Sequence, residues 1–114
     1  MFDLKRGQLE DLARRSQSAF HADLAHRLSP WFCDPVRRLS DSALRDAMHT
    51  WHTRGLTYGM DTERSMGRFL GVHLTVLPNF DKHEPLSKFL ETNVMSGDQK
   101  MTALFVRLRE LLGS

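Results

Sequence analysis

The stretch Thr62-Glu63-Arg64-Ser65-Met66-Gly67-Arg68-Phe69-Leu70-Gly71-Val72-His73-Leu74-Thr75-Val76-Leu77 decides the fold. Asp61 or Thr62 opens it with a side-chain oxygen suited to the free amide groups of a first helical turn, and Glu63 sits at the positive end of the helix dipole. Pro78 closes it, because proline has no N–H and drives the residue before it out of the helical region. Between these limits Met66, Phe69, Leu70, Val72, Leu74, Val76 and Leu77 point to nearly every side of a helix, which predicts a central, buried one. The β-branched residues within 72–76 also suit a strand, but the capped start and the length favour helix.

Outward from this segment the chain reads as helices that would wrap it. Ser40 or Asp41 can cap a helix running to about residue 58, with Leu44, Ala47, Met48, Trp51, Gly55 and Tyr58 on one face and Gly59 as its stop. Residues 6–28 form an earlier helix whose stripe takes in Leu9, Leu12, Ala13, Ser16, Ala19, Phe20, Asp23, Leu24, Arg27 and Leu28. Pro30 ends it, and Pro35 starts a short helical turn. Downstream, residues 79–85 read as a polar loop and residues 86–92 as a short helix. Ser96 and Gln99 then make a capping box for a last helix carrying Met101, Leu104, Phe105, Leu108, Leu111 and Leu112. The expectation is an all-α protein: a compact bundle of four to five helices around a buried apolar third helix, one domain over residues 1–114.

Composition narrows the class. With 114 residues, 40% hydrophobic and 26% charged, the chain can bury one core without disulfides or metals. Its one cysteine, Cys33, excludes an intrachain disulfide and fits a reducing compartment. The N-terminus has no apolar run behind its basic residues, and no stretch approaches the roughly 18–20 apolar residues that cross a bilayer. The expected setting is the cytoplasm, with no membrane contact. Sixteen basic and 14 acidic residues are interspersed along the chain, a mixed-charge surface rather than a phosphate-binding face. A helix-turn-helix over 41–77 would have to expose its most apolar helix, so no nucleic-acid partner is expected.

Six histidines invite a metal or acid–base reading. His49 and His52 share a helix face, but two ligands fall short of the three or four of a zinc centre, and His21 and His26 lie five apart. They are expected to be solvated, with no metal and no cofactor. His73, inside the apolar helix, is expected as a buried imidazole with one satisfied hydrogen bond. Cys33 with His26 or His49 as its base, or a metal on His49 and His52, defines an enzymatic alternative that no motif reinforces. The favoured class is a non-enzymatic binding protein. Its candidate contacts are Trp31 and Phe32, just outside the first helix, and Phe80, Asp81, Glu84 and Phe89 around the acidic loop.

Residues 58–64, Tyr-Gly-Met-Asp-Thr-Glu-Arg, followed by Phe69-Leu70 and then Leu77-Pro78-Asn79-Phe80-Asp81, resemble a group of small bacterial proteins encoded beside type VI secretion spike (VgrG or PAAR) and effector genes. Those read as Y-G-I-x-S/T-E-R-D-V-x-x-Y/F-L, a leucine- and methionine-rich run, G-P-x-F-D and a short acidic stretch. Here Ser65 replaces the acid after Glu-Arg, Leu77 replaces the glycine before proline, and Pro85-Leu86 stands for a later Leu-Pro-Trp-like segment. The resemblance implies a helical accessory protein whose partner is a secretion effector, toxin or spike protein. An adaptor or chaperone is the first expectation and an immunity protein the second. The stripes of the first and last helices suit either an intrachain core or a homodimer.

Overall fold

A computed structural model describes the main chain of residues 6–92 and 94–112, and the side chains of 16–92 and 94–110. Where a hydroxyl precedes an apolar-periodic run, a helix begins. Ser40 accepts from the Ala43 amide to start α3 (Asp41–Thr57). Thr62 accepts from the Ser65 amide to start α4 (Glu63–Thr75), and the Ser65 hydroxyl accepts in return from the Thr62 amide. Ser96 and Gln99 exchange the same pair of bonds, 3.2 and 2.9 Å, ahead of α6 (Gly97–Leu112). Each reciprocal pair satisfies two amides that a helix start leaves orphaned. Upstream, α1 (Arg6–Leu28) gives way at Pro30 to a 3-10 turn over Ser29–Trp31, and Pro35 stands in the first turn of α2 (Asp34–Arg37). A second 3-10 turn, Phe80–Lys82, and α5 (Leu86–Leu90) link α4 to α6. The described residues form six helices and no strand. The protein is an all-α bundle.

The segment read as the third helix is α4, the fourth once α2 is counted, and it is the hub: α1, α3 and α6 all pack against it. Met66, Phe69, Leu70, Val72, His73 and Leu74 are buried along it. Complete burial of a side chain such as Phe69 or Leu70 removes enough apolar surface from water to stabilise the fold by roughly 1.5–3 kcal/mol each. Two details correct the expectation of a helix apolar all round. α4 ends at Thr75, two residues early, so Val76 and Leu77 lie beyond it and are exposed. A strip of Arg64, Gly67, Arg68, Gly71 and Thr75 faces an open groove of ≈ 530 Å³ between α1 and α6.

The faces of α3 and α6 follow the expected stripes, with Met48, Trp51 and Gly55 buried on α3 and Met101 and Leu104 on α6. Phe105 departs from its stripe and is partly exposed, its ring under the Arg68 guanidinium 5.6 Å from the centroid. Leu111 and Leu112 lie outside the described side chains, as do Leu9, Leu12 and Ala13. On α1 the true stripe is rotated from the expected one. Gln17, Phe20, His21, Leu24, Ala25 and Leu28 turn inward, whereas Ala19, Asp23 and Arg27 face solvent, the last two as an i,i+4 ion pair. Two glycines set close approaches: a Cβ on Gly55 would lie 2.9 Å from the Met66 sulfur, and one on Gly97 would overlap the Gly59 carbonyl oxygen.

Candidate interaction surface and buried polar centre

The turn after α4 carries a cluster of side chains that the apolar core would otherwise reject. Asn79 adopts left-handed backbone geometry, φ 60°, a conformation asparagine tolerates better than most residues. Its amide donates to His73 Nδ1 at 2.9 Å. Its side-chain oxygen accepts from Trp51 Nε1 at 3.1 Å and from Arg54 Nη2 at 3.0 Å. Two residues on, Asp81 is wholly buried and takes a two-pronged grip from Arg54, Nε at 2.8 Å and Nη2 at 2.5 Å, plus the Tyr58 hydroxyl at 3.2 Å. A buried carboxylate needs such donors to offset its lost hydration.

His73 lies under this turn, 0% exposed, stacked on Trp51 with ring centroids 4.5 Å apart and flanked by Phe69 and Phe80. Because Nδ1 accepts the Asn79 N–H, the neutral ring carries its proton on Nε2, which has Asp81 Oδ1 at 3.5 Å and no hydrogen-bond partner. Burial pushes the His73 imidazole down to about 3; the Asp81 charge pulls the other way and Arg54 adds to the lowering. Burial first, then Asp81, raises the Tyr58 phenol. His73 and Asp81 are sealed from solvent, while Asn79, Arg54 and Tyr58 form the outer part of the cluster. Its chemistry is cohesive: it locks the turn at residues 77–82 onto α3.

That placement corrects two expected partner contacts. Phe80 and Asp81, 1% and 0% exposed, belong to the interior, so the loop of residues 79–85 is not a polar surface loop over its first half. Phe89 is half-buried against the core beneath Arg107, whose guanidinium carbon is 4.9 Å from the ring centroid. Glu84 is exposed and pairs loosely with Lys88 at 3.8 Å. Phe32 and Cys33 turn inward against the core.

Trp31 alone of the expected aromatics is strongly exposed, at 66%. The Cys33 amide donates to the Leu74 carbonyl at 2.9 Å, and Arg37 Nη2 donates to the Pro30 carbonyl at 3.2 Å. The first of these ties the α1–α2 turn to the last turn of α4, and Trp31, Val76 and Leu77, each within three residues of that bond, retain exposed apolar surface, as does Leu39 beyond α2. Sequence reasoning missed Leu39 and assigned Val76 and Leu77 to the core. The early end of α4 is what releases them.

Two further polar features depart from the expectation: Lys100 was not singled out, and His21, expected to be solvated, is buried, with His52 half-buried. Lys100, buried in α6, donates through Nζ to the carbonyls of Tyr58 and Leu90 at 2.7 Å each, closing the C-terminal ends of α3 and α5; burial lowers its pKa. Between α1 and α3, His21 Nε2 and His52 Nδ1 lie 2.8 Å apart, and Gln17 Nε2 lies 3.2 Å from His49 Nδ1. His26 is exposed and stands apart from this layer. Among the described residues no group of three or more His, Cys, Asp or Glu side chains converges as a metal centre. No described helix is long and apolar enough to cross a membrane. No protein family, curated protein or solved structure matches the chain.

Proposed function

We propose that the chain is a non-enzymatic protein-binding accessory protein, an adaptor or chaperone that engages a type VI secretion effector or spike protein in the bacterial cytoplasm. The observation that carries the reading is Trp31, a large aromatic left in water at the apolar end of an otherwise well-filled helical bundle. Tryptophan at the centre of a docking patch supplies much contact area at low conformational cost, which is why such residues dominate binding energetics. The Cys33 amide and the Arg37 guanidinium, donating to the Leu74 and Pro30 carbonyls, hold the turn that carries Trp31, so little ordering is needed on association. The resemblance of residues 58–84 supplies the kind of partner.

Capture of the neighbouring effector or spike protein on the tagged full chain, with its affinity measured against Trp31→Ala, tests the proposal. Truncation of a central anchor costs about 2 kcal/mol or more, so the variant should bind roughly 30-fold more weakly while keeping wild-type helicity. Equal binding by the variant would remove the patch from the interface. Loss of effector export on deletion of the chain supports the adaptor role. Rescue of cells from the toxin with export unaffected would replace it by an immunity role.

A further inference from the structure

The turn between α1 and α2 sets a cation beside the exposed indole. Arg37 Nη2 donates to the Pro30 carbonyl at 3.2 Å, so the guanidinium is pinned against the peptide bond that joins Pro30 to Trp31. This contact occupies one donor of the fork and leaves the others for a partner, in the planar arrangement that grips a carboxylate by two parallel bonds. Arg38, the next residue, is exposed as well. Among the described residues neither arginine forms an ion pair. Arg27, in the last turn of α1, is taken up by Asp23, and Asp34, the one acid between residues 24 and 40, bridges to neither. Apolar surface adjoins these charges. The Cys33 amide reaches the Leu74 carbonyl at 2.9 Å, which seats Trp31 close to the end of α4, where Val76 and Leu77 are exposed. Tryptophan and arginine are the residue types that dominate binding energetics, and here they stand together.

We infer that the Trp31 patch takes an acidic, apolar-anchored segment of its partner, with a carboxylate gripped by Arg37 and a neighbouring apolar side chain laid on Trp31. The inference rests on the reading of this patch as the docking surface and adds the chemistry of what docks there. Charge complementarity carries it. An apolar patch flanked by the guanidiniums of Arg37 and Arg38, with no carboxylate paired to either, favours Asp or Glu in the segment that covers it and rejects Lys or Arg. The same charges speed the encounter with an acidic partner. The contact at Arg37 is charge-assisted, and so stronger than a hydrogen bond between neutral groups.

Selection of random dodecapeptides displayed on phage, with the full chain as bait, tests the inference. Peptides enriched on the wild-type chain should combine Asp or Glu with Trp, Phe, Leu or Met, and should be lost from a selection on Trp31→Ala. The consensus peptide should move the emission of Trp31 to shorter wavelength, since Trp51 is already buried. It should bind Arg37→Gln about tenfold more weakly, with Arg37→Lys intermediate because a lysine keeps the charge but not the fork. Arg64→Gln, at the opposite end of α4, should bind within about twofold of wild type. Added sodium chloride should weaken binding to the wild-type chain and barely affect Arg37→Gln. Should Arg37→Gln lose helicity, the composition of the wild-type selection and its salt dependence decide the matter. Enrichment of basic or uncharged apolar peptides through Trp31 overturns the inference and leaves the docking patch in place, whereas no Trp31-dependent enrichment at all removes both. Acid-bearing peptides that bind Arg37→Gln as tightly as wild type also overturn it. So does an emission shift of Trp31 on phosphatidylserine vesicles but not on peptide, which would give the patch to a lipid surface.

Discussion

Asp81 shows how a single side chain can carry a turn. Its two oxygens take up Arg54 and Tyr58, and the same guanidinium reaches Asn79, so the carboxylate joins α3 to the segment that leaves α4. Replacing Asp81 by alanine leaves the Arg54 charge, itself largely covered, without its counter-ion, and broken pairs of this kind cost about 3–5 kcal/mol. Urea unfolding of Asp81→Ala should therefore show an unfolding free energy lower by that amount, read as a lower midpoint at an unchanged slope, whereas Glu84→Ala, at an exposed pair, should change it hardly at all. A wild-type midpoint for Asp81→Ala would show that the cluster adds nothing to stability. Part of this centre was legible beforehand: His73 in an apolar helix requires a partner, and it has one. Asp81 was misread as a surface acid because a polar run such as Asp81-Lys82-His83-Glu84 looks solvated when only neighbours in sequence are weighed. The missed signal lies on α3, where Trp51, Arg54 and Tyr58 share a face and bring three donors with no acceptor of their own.

Helix starts are the most local feature of the fold and were the most legible, because a capping hydroxyl and its N3 partner act within four residues. Ser40, Thr62 and Ser96 all cap where the sequence places them. Faces depend on neighbours. Asp23 and Arg27 fit the spacing of the α1 stripe yet lie in water, since the position of α1 on α4 is set by where Phe20 meets Gly67 and Leu28 meets Gly71. Lys100 was hidden for the same reason: only the assembled bundle brings the ends of α3 and α5 to its ammonium group. The start of α6 also depends on a tertiary approach, for the Gly59 carbonyl leaves no room for a Cβ on Gly97, and both partners are backbone. Gly97→Ala should force the α3–α4 turn and α6 apart at a cost of about 1–3 kcal/mol, despite alanine's better helix propensity. Thermal unfolding followed by circular dichroism checks this. A raised midpoint would mean that propensity outweighs the contact.

Across the whole molecule, the buried and half-buried imidazoles make folding a proton-sensitive equilibrium. His73 titrates at about 3 and His21 at about 4 in the folded chain, both from 6.5 when unfolded, and burial lowers His52 as well. Between those limits the unfolded chain binds more protons than the folded one, so stability rises with pH: it is complete above about 6.5 and is lost as pH falls toward the folded values. One fully buried ring such as His73 contributes a slope of roughly 1.4 kcal/mol per pH unit inside that window, so two units of acidification remove on the order of 3 kcal/mol. A domain of this size has only about 5–15 kcal/mol in total, which makes the loss decisive. The urea midpoint of the chain should hold steady from pH 8 to 7 and fall steeply by pH 5. His73→Phe should begin lower at pH 7.5, because the Asn79 amide loses its acceptor, yet decline less between pH 7.5 and 5. A wild-type midpoint that does not move across this range would show that none of the three rings is held neutral by the fold, and with it the tight closure of α1, α3 and the turn at Asn79 around α4 would lose its support.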